Sequence, residues 1–407
     1  MINRDLGRTL RAVARLYPVV TVTGPRQSGK TTLCKAIFPR KPYVSLEALD
    51  VRDFAAVDPR GFLAEYRRGA VIDEVQNAPG LLSYLQVDVD ENPVPGRFVL
   101  TGSQHLGLSA AVSQSLAGRT AILYLLPPGL NELERFPAAP SSLWDTLFAG
   151  AYPRIHDRRI PPVRWLSDYV STYVQRDVRA LLRVTELSTF ATFLKLCAAR
   201  TGQEVNLSAL GSDAGITHDT ARAWLSVLEA SFICFRAPAW HVNVTSQAVK
   251  APKLHFFDSG LACHLLGIRD PGQLAHHPLR GALFESWVAS EIFKARAHRG
   301  LEPALYHYRD AKRLEVDLLV NAGEVALLVE AKSAQTIAPD FFGSLDKLSA
   351  LLTAIGRASR AYVVYGGASG QRRAKAQVLP WHEIASVGWA TPAEQAASRA
   401  SGVRAPR

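Results

Sequence analysis

The strongest constraint on this chain is a glycine-rich motif that follows a short apolar strand near the N-terminus. Residues 19–23 are apolar or β-branched, and residues 24–32 then read Gly-Pro-Arg-Gln-Ser-Gly-Lys-Thr-Thr. This matches G-x-x-x-x-G-K-[ST] in its strand–loop–helix context, in which backbone N–H groups surround a phosphate. The motif therefore predicts a phosphate-binding loop whose candidate nucleotide ligands are Gly24, Pro25, Arg26, Gln27, Ser28, Gly29, Lys30, Thr31 and Thr32.

Two acidic residues end another apolar strand and supply what a phosphate loop needs for hydrolysis. Residues 70–72 are apolar, and Asp73 and Glu74 follow them. We expect Lys30 to reach the β- and γ-phosphates, and Thr31 and Asp73 to hold Mg²⁺. Glu74 is the candidate for polarising the attacking water. A surface acidic pair is the alternative, but the strand's position after the loop favours an ATPase site.

Three further apolar segments indicate a doubly wound parallel sheet. They are residues 43–45, 97–101 and 120–125, and helix-like segments alternate with them. Ligands of such sheets lie at the carboxyl ends of the strands. Thr101 and Ser103 end one of these strands, so we expect one of them to sense the γ-phosphate or to orient the water. Residues 1–135 are therefore predicted to form an AAA-like P-loop NTPase domain of the α/β class.

Several arginines near this domain allow more than one interpretation. Arg119 precedes the last strand, and it is either an arginine finger that acts in trans or a solvated or structural arginine. A predicted helix before the first strand carries arginines on one face, namely Arg4, Arg8, Arg11 and Arg15. A solvated face is the favoured interpretation. Contact with nucleic acid or with a neighbouring subunit is the alternative.

The middle of the chain is predicted to be helical. Residues 136–188 are interpreted as a helical lid or connector without chemistry of its own. Residues 189–265 contain short helices, a Gly-containing turn and a following strand, which is the pattern of a winged helix-turn-helix, with Thr217 capping the second helix. That helix carries one acid, so DNA and protein both stay open as its partner. Its exposed candidates are His218, Asp219, Arg222 and Ser226.

A lysine and several carboxylates near the C-terminus have the spacing of a nuclease site. Side chains alternate on a strand, so Glu330 and Lys332 share one face of theirs. Asp317 on the neighbouring strand can converge on them, and Glu285 approaches from a helix. Carboxylates bind Mg²⁺, and a lysine stabilises phosphorane charge. This predicts a restriction-endonuclease-like α/β domain over residues 266–385, with strand-end charges as the alternative and cleavage left open.

Composition favours a folded protein with a polyanionic partner. The 407 residues include 47 Lys and Arg against 36 Asp and Glu, a net charge of +11, which favours DNA. No segment approaches the roughly 18 apolar residues of a membrane span, and the start lacks a signal peptide. We therefore expect no membrane partner and a cytoplasmic location. The four scattered cysteines indicate neither a disulfide framework nor a zinc site.

These motifs together resemble a family of prokaryotic AAA-type P-loop ATPases. The C-terminal half of that family, a domain of unknown function, resembles a winged helix followed by a nuclease-like fold. The resemblance covers nearly the whole chain, ends near Trp381, and implies ATP binding, hydrolysis and a link to DNA. The matching segments are residues 24–32, 73–76, 78–79, 100–103, 150–153, 168–177, 252–254, 258–261, 284–285, 315–317 and 330–332.

The predicted function is that of an Mg²⁺-dependent ATPase whose nucleotide cycle is coupled to a DNA-binding, nuclease-like C-terminal half. ATP and Mg²⁺ are the predicted cofactors, and homo-oligomerisation is left open. The alternative is an ATP-controlled protein-interaction module with negligible turnover and no nucleic-acid contact. Glu74 speaks against that alternative, because a pure switch has little need of a carboxylate that activates water. Residues 386–407 are predicted to form a disordered tail.

Overall fold

A computed structural model describes residues 2–103, 115–173, 187–241, 251–390 and residue 394. The last part of the predicted lid, residues 174–186, lies outside the described residues. So does most of the predicted tail. Within the described part of the chain, no helix is long and apolar enough to cross a membrane.

The N-terminal unit is a five-stranded parallel sheet with helices on both faces. Its strands are β1 (Val19–Gly24), β2 (Tyr43–Ser45), β3 (Val71–Asp73), β4 (Phe98–Ser103) and β5 (Thr120–Tyr124). Its helices are α1 (Leu6–Val13), α2 (Lys30–Ile37), α3 (Leu49–Val57), α4 (Pro59–Glu65) and α5 (Leu81–Glu91), with a 3₁₀ turn at Val75–Asn77. The strand order β2-β3-β4-β1-β5 confirms the predicted α/β P-loop fold and places β1 inside the sheet.

Burial explains why these strands carry apolar runs without alternation. Every residue of β1 and β4 is buried, because helices cover both faces of the sheet. One apolar layer packs β1 against α1 and α2 through residues such as Leu10 and Leu33. The other packs the opposite face against α4 and α5 through residues such as Phe62 and Leu85. The loop that follows β1 therefore leaves the centre of a rigid sheet.

A helical segment and a small sheet follow. The helices are α6 (Leu130–Leu133), α7 (Leu143–Ala149), α8 (Pro153–Arg158), α9 (Pro162–Tyr173), α10 (Leu187–Ala199), α11 (Leu207–Ala214) and α12 (His218–Ala230). The strands are β6 (Gln203–Glu204), β7 (Cys234–Ala237) and β8 (Lys253–Phe256), in the antiparallel order β6-β8-β7. Thr217 caps α12 as predicted, because its side chain accepts a hydrogen bond from the Thr220 N–H.

The C-terminal part is a mixed six-stranded sheet with helices packed against it. The helices are α13 (Ser259–Leu265), α14 (Pro271–His276), α15 (Arg280–Ala297) and α16 (Gly343–Ala354), with 3₁₀ turns at Pro339–Phe341 and Trp381–Ser386. The strands are β9 (Leu305–Arg309), β10 (Glu315–Ala322), β11 (Val325–Lys332), β12 (Ala358–Tyr365), β13 (Gln371–Arg372) and β14 (Ala376–Pro380). Their order is β13-β14-β12-β11-β10-β9.

One apolar core runs through all of the parts that follow the N-terminal sheet. It contains Trp165, Trp224 and Trp287, which come from the three predicted domains of this region. It also contains Trp389, whose indole N–H donates to the Ile384 carbonyl at 2.8 Å. Trp389 lies inside the predicted tail of residues 386–407, so the packed chain extends further than the sequence prediction. These parts therefore pack as one body.

Candidate functional site

The loop after β1 has the backbone geometry of an anion-binding site. Gly24 has φ +151°, and a Cβ there would lie 2.2 Å from the carbonyl oxygen of Leu125, so only glycine fits. Gly29 has φ +95° and directly precedes α2, while Gln27 has φ +63°. Such left-handed residues turn successive N–H groups of a loop inward, and the α2 dipole adds positive potential. The structure thus agrees with the predicted phosphate-binding loop.

Lys30 begins α2 and lies inside this loop. Its side chain is 7% exposed, and Nζ donates to the carbonyl oxygens of Gly24 at 3.1 Å and of Pro25 at 2.9 Å. Burial lowers the pKa of Lys30 to about 8, although the carboxylates of Glu74 and Asp73 oppose the shift. The ammonium group is thus held by uncharged acceptors, and an anion at the loop would offer it a stronger partner.

Asp73 ends β3 behind the loop and is held by hydroxyl groups. Both of its carboxylate oxygens accept from the Thr31 hydroxyl at 3.0 Å. The Tyr43 hydroxyl donates to Oδ2 at 2.7 Å, and Thr101 donates to Oδ1. Three neutral donors fix this nearly buried carboxylate while leaving its negative charge available to a cation. Thr101 therefore contacts Asp73 directly, and its predicted sensing of the γ-phosphate stays a prediction.

Glu74 follows Asp73 and turns out of the strand toward the loop. Its φ of +55° is left-handed, a conformation that costs a non-glycine residue on the order of 1 kcal/mol and that is common at functional sites. Gln76 holds it, because the amide Nε2 contacts Glu74 Oε2 and also donates to the Ser103 hydroxyl at 3.2 Å. The Gln76 side chain thus links Glu74 to Ser103. The sequence reasoning gave no role to Gln76 or Tyr43, although Gln76 contacts Glu74 and Tyr43 contacts Asp73 in the fold.

A cleft of about 1310 Å³ opens over the loop. Its lining includes Lys30 and Glu74, and basic residues from four separate parts of the chain also face it: Arg8, Arg11, Arg26, Arg135, Arg154 and Arg158. The Ser28 hydroxyl, in the loop itself, is buried without a hydrogen-bond partner among the described residues. A concave, basic cleft with an unused donor fits a triphosphate. The carboxylate of Asp73 and the hydroxyl of Thr31 fit Mg²⁺, which prefers oxygen ligands.

Arg119 lies at the opposite end of the sheet from the loop. It precedes Thr120, which pairs with Val19 at the start of β1, whereas the loop leaves the end of β1. The Arg119 guanidinium donates to Asp90 at 2.5 and 2.8 Å on the protein surface. Arg119 therefore does not reach the phosphate loop of its own chain, and its action in trans stays a prediction.

The interpretation of the arginine face as solvated is wrong for Arg4. Its side chain is buried, and it donates to the carbonyl oxygens of Ser28 at 2.8 Å and of Leu126 at 2.7 Å. Its third partner is Glu132 Oε1, at 3.0 Å. The other arginines of this face, Arg8, Arg11 and Arg15, are exposed as expected. Arg4 thus ties the phosphate loop to the segment that leaves the sheet.

Glu132 is the centre of a buried network that reaches α15. Its carboxylate accepts from Arg4 and from the Asp5 N–H at 2.6 Å, and it lies 3.6 Å from His298 Nδ1. Burial alone would raise the pKa of Glu132, but Arg4, His298 and the hydrogen bonds outweigh it and lower the pKa to about 2. The His298 carbonyl, just beyond α15, accepts from Thr9 at 2.8 Å. A continuous chain of contacts thus joins the loop to α15.

The predicted C-terminal carboxylate cluster is also present. Lys332 Nζ lies 2.7 Å from Glu330 Oε1 and 3.8 Å from Asp317 Oδ2. The Ala331 N–H donates to Asp317 Oδ2 at 2.9 Å, because β10 and β11 are antiparallel neighbours. Burial and the charge of Asp317 raise the pKa of Glu330 to about 7, against the opposing effect of Lys332. The strands therefore bring Asp317, Glu330 and Lys332 together as the alternation predicts.

A second lysine, which the sequence reasoning missed, lies in this cluster. Lys253 of β8 is 4% exposed at its side chain, and its Nζ lies 2.9 Å from Glu285 and 2.8 Å from Glu315. Its distance to Asp317 is 4.0 Å. Burial and Asp317 raise the pKa of Glu285 to about 8, against the opposing effect of Lys253. The only sequence sign of Lys253 was its place in residues 252–254 of the resemblance.

The metal geometry predicted for this cluster is not formed among the described residues. No group of three His, Cys, Asp or Glu side chains within the described ranges is placed to hold a metal ion. The ammonium group of Lys253 contacts Glu285 at 2.9 Å and lies 4.0 Å from Asp317, so it stands between these two carboxylates. The residue types predicted for nuclease chemistry are thus present, and two lysines lie among the carboxylates.

Comparison with protein families divides the chain into three matched regions. Residues 16–134 match a family described as AAA domain. Residues 140–272 match a domain of unknown function (DUF8612), and residues 280–384 match a domain of unknown function (DUF4143). The first match contains the phosphate loop, Asp73 and Glu74, and the last contains the C-terminal cluster apart from Lys253.

The chain is similar to known proteins over most of its length. It is 30% identical to an uncharacterized protein of Mycobacterium tuberculosis over 320 residues, which are 78% of this chain and 71% of that protein. Among solved structures, the Walker-type ATPase PABY2304 of Pyrococcus abyssi is 14% identical with a TM-score of 0.43, over 65% of this chain and 96% of that one. RuvB of Thermotoga maritima is 21% identical with a TM-score of 0.31, over 58% and 90%.

Proposed function

This chain belongs to the family of P-loop ATPases that join an AAA domain to a DUF4143 domain, and from that membership we propose that it hydrolyses ATP and couples the cycle to DNA contact. The observation that carries the proposal is the convergence of Lys30, Thr31 and Asp73 at the carboxyl ends of β1 and β3. Phosphate loops with this set of groups bind nucleoside triphosphates.

The loop residues bind and orient the nucleotide in this proposal. Lys30 exchanges its two carbonyl acceptors for phosphate oxygens, which are stronger partners because they are charged. Ser28 contributes its unused hydroxyl. Thr31 and Asp73 are the residues that would hold Mg²⁺, which when bound neutralises charge on the transferred phosphoryl group.

Glu74 is the proposed general base. Its carboxylate lines the cleft, next to the loop, and accepts a proton from the attacking water. Gln76 positions it by contacting one carboxylate oxygen, and the same amide reaches Ser103 at the end of β4. In this proposal Ser103 senses the γ-phosphate through Gln76, and Thr101 acts on Asp73.

Coupling to the C-terminal half is proposed to run through Arg4. Its guanidinium joins the Ser28 carbonyl of the loop to Glu132, and Glu132 contacts His298 at the end of α15. A phosphate that enters the loop would compete for the Arg4 charge and so change its contact with Glu132. Helix α15 extends from this contact to Glu285, so it spans both sites.

DNA is the proposed partner of the C-terminal half. The net charge of +11 favours a polyanion, and α12 presents Arg222 with an exposed side chain. Arg222 is balanced by Asp219 at 3.4 Å, and Arg222 lies one turn from His218. Helix α12 follows α11 through a short turn and precedes the β7–β8 pair, which is the order of a winged helix.

The proposal is tested by ATP turnover with and without duplex DNA over a series of salt concentrations. We expect Mg²⁺-dependent turnover, DNA affinity that falls steeply with salt, and a change of turnover when DNA is bound. Arg222→Ala should weaken DNA binding, and Arg60→Ala, which removes an exposed arginine of α4, is the matched control.

Two results would separate this proposal from its alternatives. Glu132→Gln should keep turnover while reducing the response to DNA, because it interrupts the contacts between Arg4 and α15. ATP binding with turnover indistinguishable from Lys30→Ala, and with no DNA affinity, would instead identify a nucleotide-controlled protein-interaction module.

A further inference from the structure

We propose that the ammonium group of Lys253 is the resident cation of the C-terminal carboxylate cluster and excludes a divalent metal ion from it. The inference concerns a site that ATP hydrolysis does not use, so it stands or fails independently of the proposed function. Its consequence is that this cluster does not cleave nucleic acid through a bound metal ion.

The position of Nζ is the first argument. It lies 2.9 Å from Glu285, 2.8 Å from Glu315 and 4.0 Å from Asp317. These carboxylates come from α15 and from β10, so the ammonium group is the charge that joins the helix to the strand. A metal ion bound by Glu285 and Asp317 would need the same space. Two cations in one small cluster repel each other, and the lysine is covalently attached.

The placement of Lys253 in the fold is the second argument. Its side chain is almost fully buried, and β8 pairs with both β6 and β7, so the backbone that carries it is held on two sides. Glu285 and Glu315, its closest acceptors, would each lose their nearest cation if the side chain left. Removal of one partner from a buried ion pair is strongly unfavourable. Lys253 therefore stays in the cluster.

The remaining carboxylates are only partly engaged. Asp317 accepts from the Ala331 N–H at 2.9 Å, and Glu330 Oε1 is paired with Lys332 at 2.7 Å, while Glu330 Oε2 is buried without a hydrogen-bond partner among the described residues. Nuclease sites that cut through a metal ion need carboxylates that converge on one open position. Here two lysines contact the four carboxylates from two sides. Lys332 is the lysine that the nuclease pattern requires, whereas Lys253 is the additional one.

Mn²⁺ binding without nucleotide tests the inference. All arms carry Asp73→Asn, which removes the metal ligand of the ATP cleft, and binding is followed by calorimetry and by the electron paramagnetic resonance of free Mn²⁺. We expect no Asp317-dependent site in this background. Adding Lys253→Met should create one, with affinity increased about 100-fold, an effect of the size that groups beside a metal commonly have.

Matched variants identify the site. Asp317→Asn, added to the Lys253→Met chain, should remove the new Mn²⁺ site. Lys332→Met deletes the other lysine of the cluster and should create no site, since Lys253 remains. A gain of Mn²⁺ binding in Lys332→Met equal to that in Lys253→Met would overturn the inference, because charge alone and not the place of Lys253 would then explain it.

Mn²⁺ binding to the chain that keeps Lys253 is the decisive control, and it does not depend on whether the Lys253 variants fold. Mn²⁺ bound by this chain and lost with Asp317→Asn would overturn the inference. So would Mn²⁺-dependent cleavage of DNA that Asp317→Asn abolishes. Lys253→Gln, which keeps a polar group in the cluster, is the second variant if Lys253→Met does not fold. We expect it to bind Mn²⁺ more tightly than the chain with Lys253.

Discussion

The ATP cleft and the C-terminal cluster use the same kinds of side chain with opposite results. In the cleft, Lys30 lies on two backbone carbonyls, and Asp73 is held by hydroxyl groups. In the cluster, Lys253 lies directly between Glu285 and Glu315. The first arrangement keeps positive and negative charge apart and leaves both available to a ligand. The second arrangement pairs the lysine with the carboxylates directly.

Charge alone does not make a metal site. A carboxylate that is held by neutral donors can still attract an incoming cation. A carboxylate that is paired with a buried lysine already has a cation beside it. The cleft is accordingly open and basic, whereas the cluster joins β8, β10, β11 and α15 around the almost fully buried Lys253. We therefore expect metal and nucleotide chemistry in the cleft and structural ion pairing in the cluster.

The largest expected effect is the loss of turnover on Lys30→Ala. The change removes the ammonium group from the loop, and we expect ATP turnover to fall by about 1000-fold or more, as for other groups that stabilise charge on a transferred phosphoryl group. Steady-state phosphate release measures it. Lys347→Ala, at an exposed position of α16, should turn over ATP like the unchanged chain. Equal rates in all three proteins would show that the loop is not the site.

The next effect concerns the water-activating carboxylate. Glu74→Gln keeps the size of the side chain but removes its basicity, so turnover should fall by about 100-fold while ATP binding persists. Fluorescent nucleotide titration beside phosphate release separates the two quantities. Glu91→Gln, at the exposed end of α5, is the matched control. If Glu74→Gln lost binding and turnover together, Glu74 would belong to the ligand contacts instead.

The two lysines should differ in their effect on stability. Lys253→Met removes the buried ammonium group that Glu285 and Glu315 share, and we expect the free energy of unfolding to fall by about 3 kcal/mol. Lys30→Met removes a buried charge whose hydrogen-bond acceptors are neutral carbonyl groups and whose burial outweighs the attraction of Glu74 and Asp73, so it should leave stability unchanged or raise it. Denaturant unfolding of both variants measures the contrast. Equal losses would contradict the difference drawn between the two sites.

The weakest of these effects is the pH dependence of the contribution that Lys30 makes to the free energy of unfolding. The folded pKa of Lys30 is about 8 and its ordinary value is 10.5, so the folded state binds this proton more weakly than the unfolded state. Its burial penalty is therefore full below pH 8 and declines as the pH rises toward 10.5.

Unfolding curves at several pH values measure this contribution. The stability advantage of Lys30→Met should shrink between pH 8 and 10.5, by at most about 1.4 kcal/mol per pH unit for one proton. If the stability advantage of Lys30→Met instead increased over this range, the folded state would be stabilising the charged lysine, as a carboxylate partner would do.

Much of the fold and of the cleft could be predicted from the sequence because their determinants are local. Apolar runs with no alternation mark buried parallel strands, and the loop motif fixes where Lys30 and Thr31 lie relative to β1. The meeting of Asp317 with Glu330 followed from alternation on neighbouring strands. In each case the chemistry depends on residues within one strand, one turn or one strand pair.

The contacts that the sequence did not reveal join distant parts of the chain. Arg4 and Glu132 are 128 positions apart, and Lys253 is 32 positions from Glu285. A regular spacing of arginines favoured a solvated face, and it could not show that Arg4 alone, just before α1, turns inward to the loop. Tertiary packing decides such pairings, and periodicity within an element carries no information about them.

Anomalous scattering from crystals grown with Mn²⁺ and a non-hydrolysable ATP analogue compares both sites in one measurement. Our account predicts a peak beside Thr31 and Asp73 and none between Glu285 and Asp317, where Lys253 should remain in place. A peak in the C-terminal cluster with Lys253 displaced, or no peak in the cleft, would contradict it.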